Sequence, residues 1–126
     1  MKSEQVFAIL GALSGFIGVA AGAFGAHGLR QRLSPEMLGV FETAARYQMY
    51  HALALIAVGW AATRWPGGGI QLSGWSFVVG TLLFSGSLYV LSLTGIRWLG
   101  AITPLGGAGF LLGWLSLAWG IWKHQP

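Results

Sequence analysis

The chain has 126 residues, 55% hydrophobic and only 8% charged, with a mean hydropathy of +0.66. An ordinary soluble domain carries about 25% charged residues, so this composition excludes water as the principal solvent. The formal net charge of +4 fits loops beside anionic lipid better than a nucleic-acid surface, because the few charges lie between apolar runs.

Uncharged runs fall at Val6–Ala26, Ala52–Thr63, Ile70–Gly95 and Trp98–Trp122. Crossing a hydrocarbon core of ~30 Å takes about 20 helical residues, which three of the runs reach unaided. The second needs Tyr47–His51 to complete it and so brings polar residues to membrane depth or its edge. The predicted architecture is an all-α membrane protein: a four-transmembrane-helix bundle in a single domain over residues 1–126, with spans at approximately 5–27, 46–64, 70–94 and 98–123. Continuous rather than alternating apolar runs argue against a β-barrel.

The first span has a rival reading as a cleaved signal peptide, with Lys2 before an apolar stretch and small residues at Ala21-Gly22-Ala23. Glu4 spoils the basic n-region and the apolar run exceeds the usual ~7–15 residues, so a retained spanning helix is expected. Along it Ser14, Gly18, Gly22 and Ala26 recur every four residues and Gly11 with Gly15 forms a second row. A face stripped nearly to backbone lets another helix approach closely, which is how helices associate in lipid. Past this face, "AAGAFGAHGLRQRL" places His27 at the membrane boundary, with Gly25 and Gly28 free to end the helix at φ > 0.

The second element, residues 34 to 56, opens with Ser34 at N-cap, Pro35 at N1 and Glu36 in the first turn. Nothing breaks it before Pro66, so a helix from Pro35 to Thr63 would run over ~40 Å and its first turns form an interfacial helical extension before the second span. Glu42 and Arg46 stand i,i+4, Tyr47 and His51 likewise on a neighbouring strip, and Gln48 lies further round. Polar groups at this depth are expensive when they face lipid. Such a cluster either caps one end of the bundle or, joined by His27, forms one candidate binding pocket for a polar headgroup or small anion: His27, Glu42, Arg46, Tyr47, Gln48 and His51. It could also shuttle a proton between Glu42 and His51.

"RWPGGGIQLSG", residues 64 to 74, reads as a loop. The third span carries Ser76, Gly80, Ser85 and Gly86, and the fourth repeats the packing device with Gly106, Gly109, Gly113, Ser116 and Gly120. Pro104 near the start of the fourth predicts a kink there. The small-residue faces suit packing within one bundle, a homo-oligomer interface being the alternative.

Cysteine is absent, which removes disulfides, thiolate ligands and cysteine nucleophiles. Asp is absent too, and His27, His51 and Glu42 have no tight metal-ligand spacing. No metal or cofactor is therefore expected. Nor is there a nucleophile-elbow motif, and no enzymatic activity is expected. Four spans place Lys2, Arg64 and Lys123 on one side against Arg30, Arg32, Arg46 and Arg97 on the other, which nearly balances the positive-inside bias.

"GAFGAHGL" at 22 to 29, "YQMYHALAL" at 47 to 55, "FSGSLYVL" at 84 to 91 and "TPLGG" at 103 to 107 together resemble the YgdD-like family of uncharacterised small multi-pass proteins of bacterial inner membranes, which has eukaryotic relatives. The resemblance covers essentially the whole chain and implies about four spans in the inner membrane without assigning a reaction. It marks Gly25, His27 and Gly28; Tyr47, Gln48 and His51; Ser85, Gly86 and Tyr89; and Thr103, Pro104 and Gly106. The expected function is a bundle that binds membrane lipid or a partner membrane protein through its polar end. A small proton-linked transporter or channel using His51 and Glu42 is the alternative.

Overall fold

A computed structural model describes residues 1–124. It is all-helical, with four long helices: α1 (Ser3–Leu29), α2 (Pro35–Arg64), α3 (Gly68–Thr94) and α4 (Thr103–Trp122), the last preceded by a 3-10 turn at Arg97–Ala101. Three are long and apolar enough to cross a membrane: α1, α3, and α4 with its leading turn. α2 is long enough, but Glu36, Glu42, Arg46 and Arg64 interrupt its apolar surface.

Several helix ends have a local cause. The Lys2 backbone N–H donates to Gln5 Oε1 at 3.1 Å at the start of α1. Ser34 Oγ accepts from the Met37 N–H at 3.2 Å, Pro35 sits in the first turn, and α2 then runs unbroken to Arg64. A cap of this kind contributes ~1 kcal/mol. At the far end of α3, Gly95 adopts φ 74° and its N–H bonds back to Leu91 O at 2.7 Å, a left-handed stop that suits glycine.

Three expectations are corrected. Gly25 and Gly28 do not terminate α1 at positive φ; among the described residues only Gly67 and Gly95 have it. α1 instead passes through a π-helical stretch at Ala20–Gly25 and continues to Leu29. Gly25 serves packing, since a Cβ there would lie 3.1 Å from the Phe41 ring. The 64–74 loop shrinks to a turn around Trp65–Gly67, with α3 helical from Gly68. Pro104 does not kink α4: it occupies the first turn, where its missing N–H has no bond to lose.

The interior is built from small residues and phenylalanine rings. The Phe7 ring occupies the notch left by Gly74, Phe77 that of Gly113, and Phe110 that of Gly80. Backbones also meet directly: a Cβ at Gly11 would fall 2.7 Å from Ala52 O, and one at Gly59 would fall 2.8 Å from Glu4 O. Of the glycine rows, Gly11, Gly15, Gly18 and Gly22 all face α2, tightly at Gly11 and Gly18 and loosely at the other two, while Gly109 and Gly113 face α3. Large apolar side chains point outward instead, among them Phe16, Leu82, Leu111 and Leu115. That inversion is what lipid as solvent requires. Trp60, Trp119 and Trp122 lie outward near one end, Tyr50 and Trp98 towards the other, as aromatic belts do.

α1 packs on α2, α2 on α3 and α3 on α4, with α1 and α4 out of contact. The helices thus form a zigzag layer, with α2 and α3 central. Hydroxyl bonds tie neighbours together: Ser85 Oγ donates to Ala44 O and Ser73 Oγ to Gly113 O, both at 2.8 Å. Ser87 and Thr103 hydroxyls pair at 2.6 Å. On the surface, Arg97 reaches Glu36 at 3.1 Å, linking the α3–α4 connection to the first turn of α2.

Candidate functional site

α2 carries five of the six residues singled out for a binding cluster, and its rotation of ~100° per residue distributes them over three sides. Gln48 is buried where α1, α2 and α3 meet. Its Nε2 donates to Ser14 O at 3.1 Å and Ser14 Oγ at 3.3 Å, and its Oε1 accepts from Tyr89 OH at 2.7 Å. One amide therefore uses both ends to join three helices.

His51 is buried on the side towards α4. Its Nδ1 lies 2.7 Å from Tyr47 O, and Trp114 Nε1–H donates to its Nε2 at 3.2 Å. A carbonyl only accepts and an indole N–H only donates, so the two neighbours select the tautomer with the proton on Nδ1. The imidazole stacks on the Phe110 ring, with centroids 3.6 Å apart and planes at 2°. Tyr47 covers the same cluster through Phe84, at 4.7 Å.

Grooves between helices divide the remaining residues. An open groove of about 650 Å³ between α2 and α4 is lined by Tyr47, Tyr50, His51, Pro104, Gly107 and Trp114, among others. A second, of about 410 Å³, runs between α1 and α2 past Gly18, Gly22, Glu42, Arg46 and Met49. A third, of about 300 Å³, separates α1 from α3 and contains Ser14, Gln48 and Thr81. Thr81 Oγ1 is the single buried side-chain polar atom without a partner among the described residues.

The six residues therefore do not share one pocket. Glu42 and Arg46 border the α1 side, Tyr47 and His51 the α4 side, Gln48 lies between, and His27 is exposed on the last turn of α1, outside all three grooves. The physical reason is that both i,i+4 pairs hold their own strips of α2, and the adjoining helices cover different strips. Sequence reasoning missed Ser14 and Trp114 as partners of Gln48 and His51; nothing local distinguishes a serine or tryptophan that meets a residue 34 or 63 positions away. Tyr89 was marked only within a motif.

The model of a family described as "Protein of unknown function (DUF423)" matches residues 21–107. The chain belongs to the DUF423 family. The matched stretch holds the Gln48–Tyr89 bond and the Ser87–Thr103 bond, whereas Ser14 and Trp114 fall outside it. Similar relatives are named UPF0382 membrane proteins. One from Staphylococcus saprophyticus is 50% identical over 119 residues, covering 94% of this chain and 98% of its own length. One from Bacillus subtilis is 47% identical over 90% of this chain and 93% of its own. One from Haemophilus influenzae is 46% identical over 99% and 98%. No solved structure matches the chain. This DUF423 member is thus a multi-pass protein of the bacterial membrane, in a family of unknown function.

Proposed function

We propose that this protein is a non-enzymatic four-helix membrane bundle, with α2 as its fourth span, that holds a lipid acyl chain in the groove between α2 and α4, and that its motif blocks are those of the YgdD-like proteins. The observation that carries the reading is the groove itself. It is open, about 650 Å³, and walled by aromatic rings and by the Gly107 and Ala108 backbone. Outward-facing Leu111 stands on its rim, so acyl chains are the medium it opens to.

The span assignment is tested first. The chain has no cysteine, so Gln31→Cys and Gly68→Cys each introduce a unique thiol, in or beside the connections at either end of α2. A membrane-impermeant maleimide is expected to label the two from opposite faces of oriented vesicles; labelling from the same face would remove α2 as a span.

Occupancy of the groove is tested with a photoactivatable acyl phospholipid. A Cβ at Gly107 would meet nothing within 4 Å, so Gly107→Leu fills the groove without disturbing the core. Wild type is expected to be crosslinked near Trp114, and Gly107→Leu to lose most of that product. If capture persists while the oligomeric state changes, the groove receives a partner helix instead of lipid.

Proton-linked transport is the weaker reading, because Glu42 and His51 line different grooves and both ring nitrogens of His51 have neighbours within hydrogen-bond distance.

A further inference from the structure

The α1–α2 groove straddles the level at which these helices leave the hydrocarbon. Counting ~20 residues, the length that spans ~30 Å, from Lys2 along α1 arrives at Gly22, and the same count back from Arg64 along α2 arrives at Ala44, beside Ala45. Gly22 and Ala45 face each other: a Cβ on Gly22 would lie 3.5 Å from Ala45 Cβ. Glu42 and Arg46 thus stand at headgroup depth, with Gly18 and Met49 continuing the groove towards the acyl region.

The two charges are set apart rather than spent on each other. They are spaced i,i+4 in the order that favours pairing, yet Arg97–Glu36 is the only ion pair within 4.0 Å among the described residues. The groove wall opposite them is glycine and alanine of the π-helical stretch, which adds no competing polar side chain. π-Helical turns are frequent at functional sites. A carboxylate and a guanidinium on one groove rim are the complement of a headgroup carrying one ammonium and one phosphate.

We propose that this groove is a site for an amine-bearing phospholipid, phosphatidylethanolamine in chemistry, with the phosphate on the Arg46 guanidinium and the ammonium on the Glu42 carboxylate. Guanidinium matches phosphate oxygens through several N–H donors. A primary ammonium donates three N–H bonds that a trimethylated amine lacks. The acyl chains run down past Val19 and over Met49, whose thioether fills the space beside Gly18 and gives the groove an apolar floor. The proposal rests on α2 crossing the bilayer, which the thiol-labelling experiment tests separately, and is independent of the α2–α4 groove.

The test is retention of lipid through purification from vesicles of equal parts phosphatidylethanolamine, phosphatidylcholine and phosphatidylglycerol, read by mass spectrometry of the lipid extracted from the purified protein. Wild type is expected to retain phosphatidylethanolamine about fivefold over either other lipid, the size of one partly exposed charge pair. Glu42→Gln should bring phosphatidylethanolamine down to the phosphatidylcholine level, and Arg46→Gln should lower retention of all three. Both side chains face outward, so neither change touches the core. Gly107→Leu should leave the preference intact. Equal retention of the three lipids by wild type overturns the proposal, as does a preference that survives Glu42→Gln. Stripping by soluble glycerophosphoethanolamine at the concentration where the intact lipid competes would assign the site to a soluble ligand and overturn it equally.

Discussion

Gly106→Ala is expected to destabilise the protein severely, while Gly107→Ala, one residue on, is expected to be neutral or slightly stabilising. A Cβ on Gly106 would sit 2.7 Å from Phe84 Cα and closer still to Phe84 N, whereas one on Gly107 meets nothing within 4 Å. In an open helical position, alanine gains roughly 0.5–1 kcal/mol over glycine. At Gly106 that gain is overwhelmed, because the obstacle is the backbone of α3 and cannot rotate aside. Overpacking of this kind costs roughly 1–3 kcal/mol or more. Thermal unfolding of detergent-solubilised variants, followed by the monodisperse fraction on size exclusion, gives the comparison; equal midpoints for the two variants would contradict the close α3–α4 approach.

Gln48→Leu is expected to produce the largest loss among polar substitutions. It deletes the group that links Ser14 on α1 to Tyr89 on α3, and leaves the Tyr89 hydroxyl without its acceptor. Interhelical hydrogen bonds in membranes average about 0.6 kcal/mol each, and an orphaned buried partner adds about 1–3 kcal/mol. Tyr89→Phe should cost less, since the amide keeps both bonds to Ser14. In the double variant no phenol remains to be orphaned, so its loss should fall short of the sum by about 1 kcal/mol. Strict additivity would mean that the Tyr89–Gln48 bond does not couple α2 to α3.

The parts of the fold that were legible in the sequence are those decided within a turn or two of chain. Ser34, Pro35 and Glu36 announced the start of α2, and the helix does run unbroken to Arg64. Apolar length found α1, α3 and α4. Glycine was harder to read, because the residue that permits a turn also permits a close approach. Within residues 64–74 both occur: Gly67 takes φ 154° in the turn, while Gly69 is helical and would place a Cβ 2.8 Å from Gly120 Cα. Pro104 was misread for a related reason, since its consequence depends on whether a helix begins or continues there.

The candidate site was legible only as a set of residues on one helix. Periodicity put Glu42 with Arg46 and Tyr47 with His51, and those pairs do share grooves. It could not say which neighbour would cover each strip. That depends on Tyr89, 41 residues from Gln48, and on Trp114, 63 residues from His51.

The zigzag order of the helices bears on how the molecule is made. α1 and α4 never meet, and each helix after the first packs mainly on the one synthesised just before it. The α1–α2 hairpin, with its Gly11–Ala52 and Gly59–Glu4 approaches and the Ser14–Gln48 bonds, draws on no residue of α3 or α4 and so can form before they are made. α3 then docks on a finished surface, bringing Ser85 to Ala44 and Tyr89 to Gln48, and α4 closes onto α3 last. Few contacts skip a helix, chiefly Phe7 against Gly74 and Trp114 on His51, so assembly can keep pace with translation and leaves few polar groups stranded in lipid on the way.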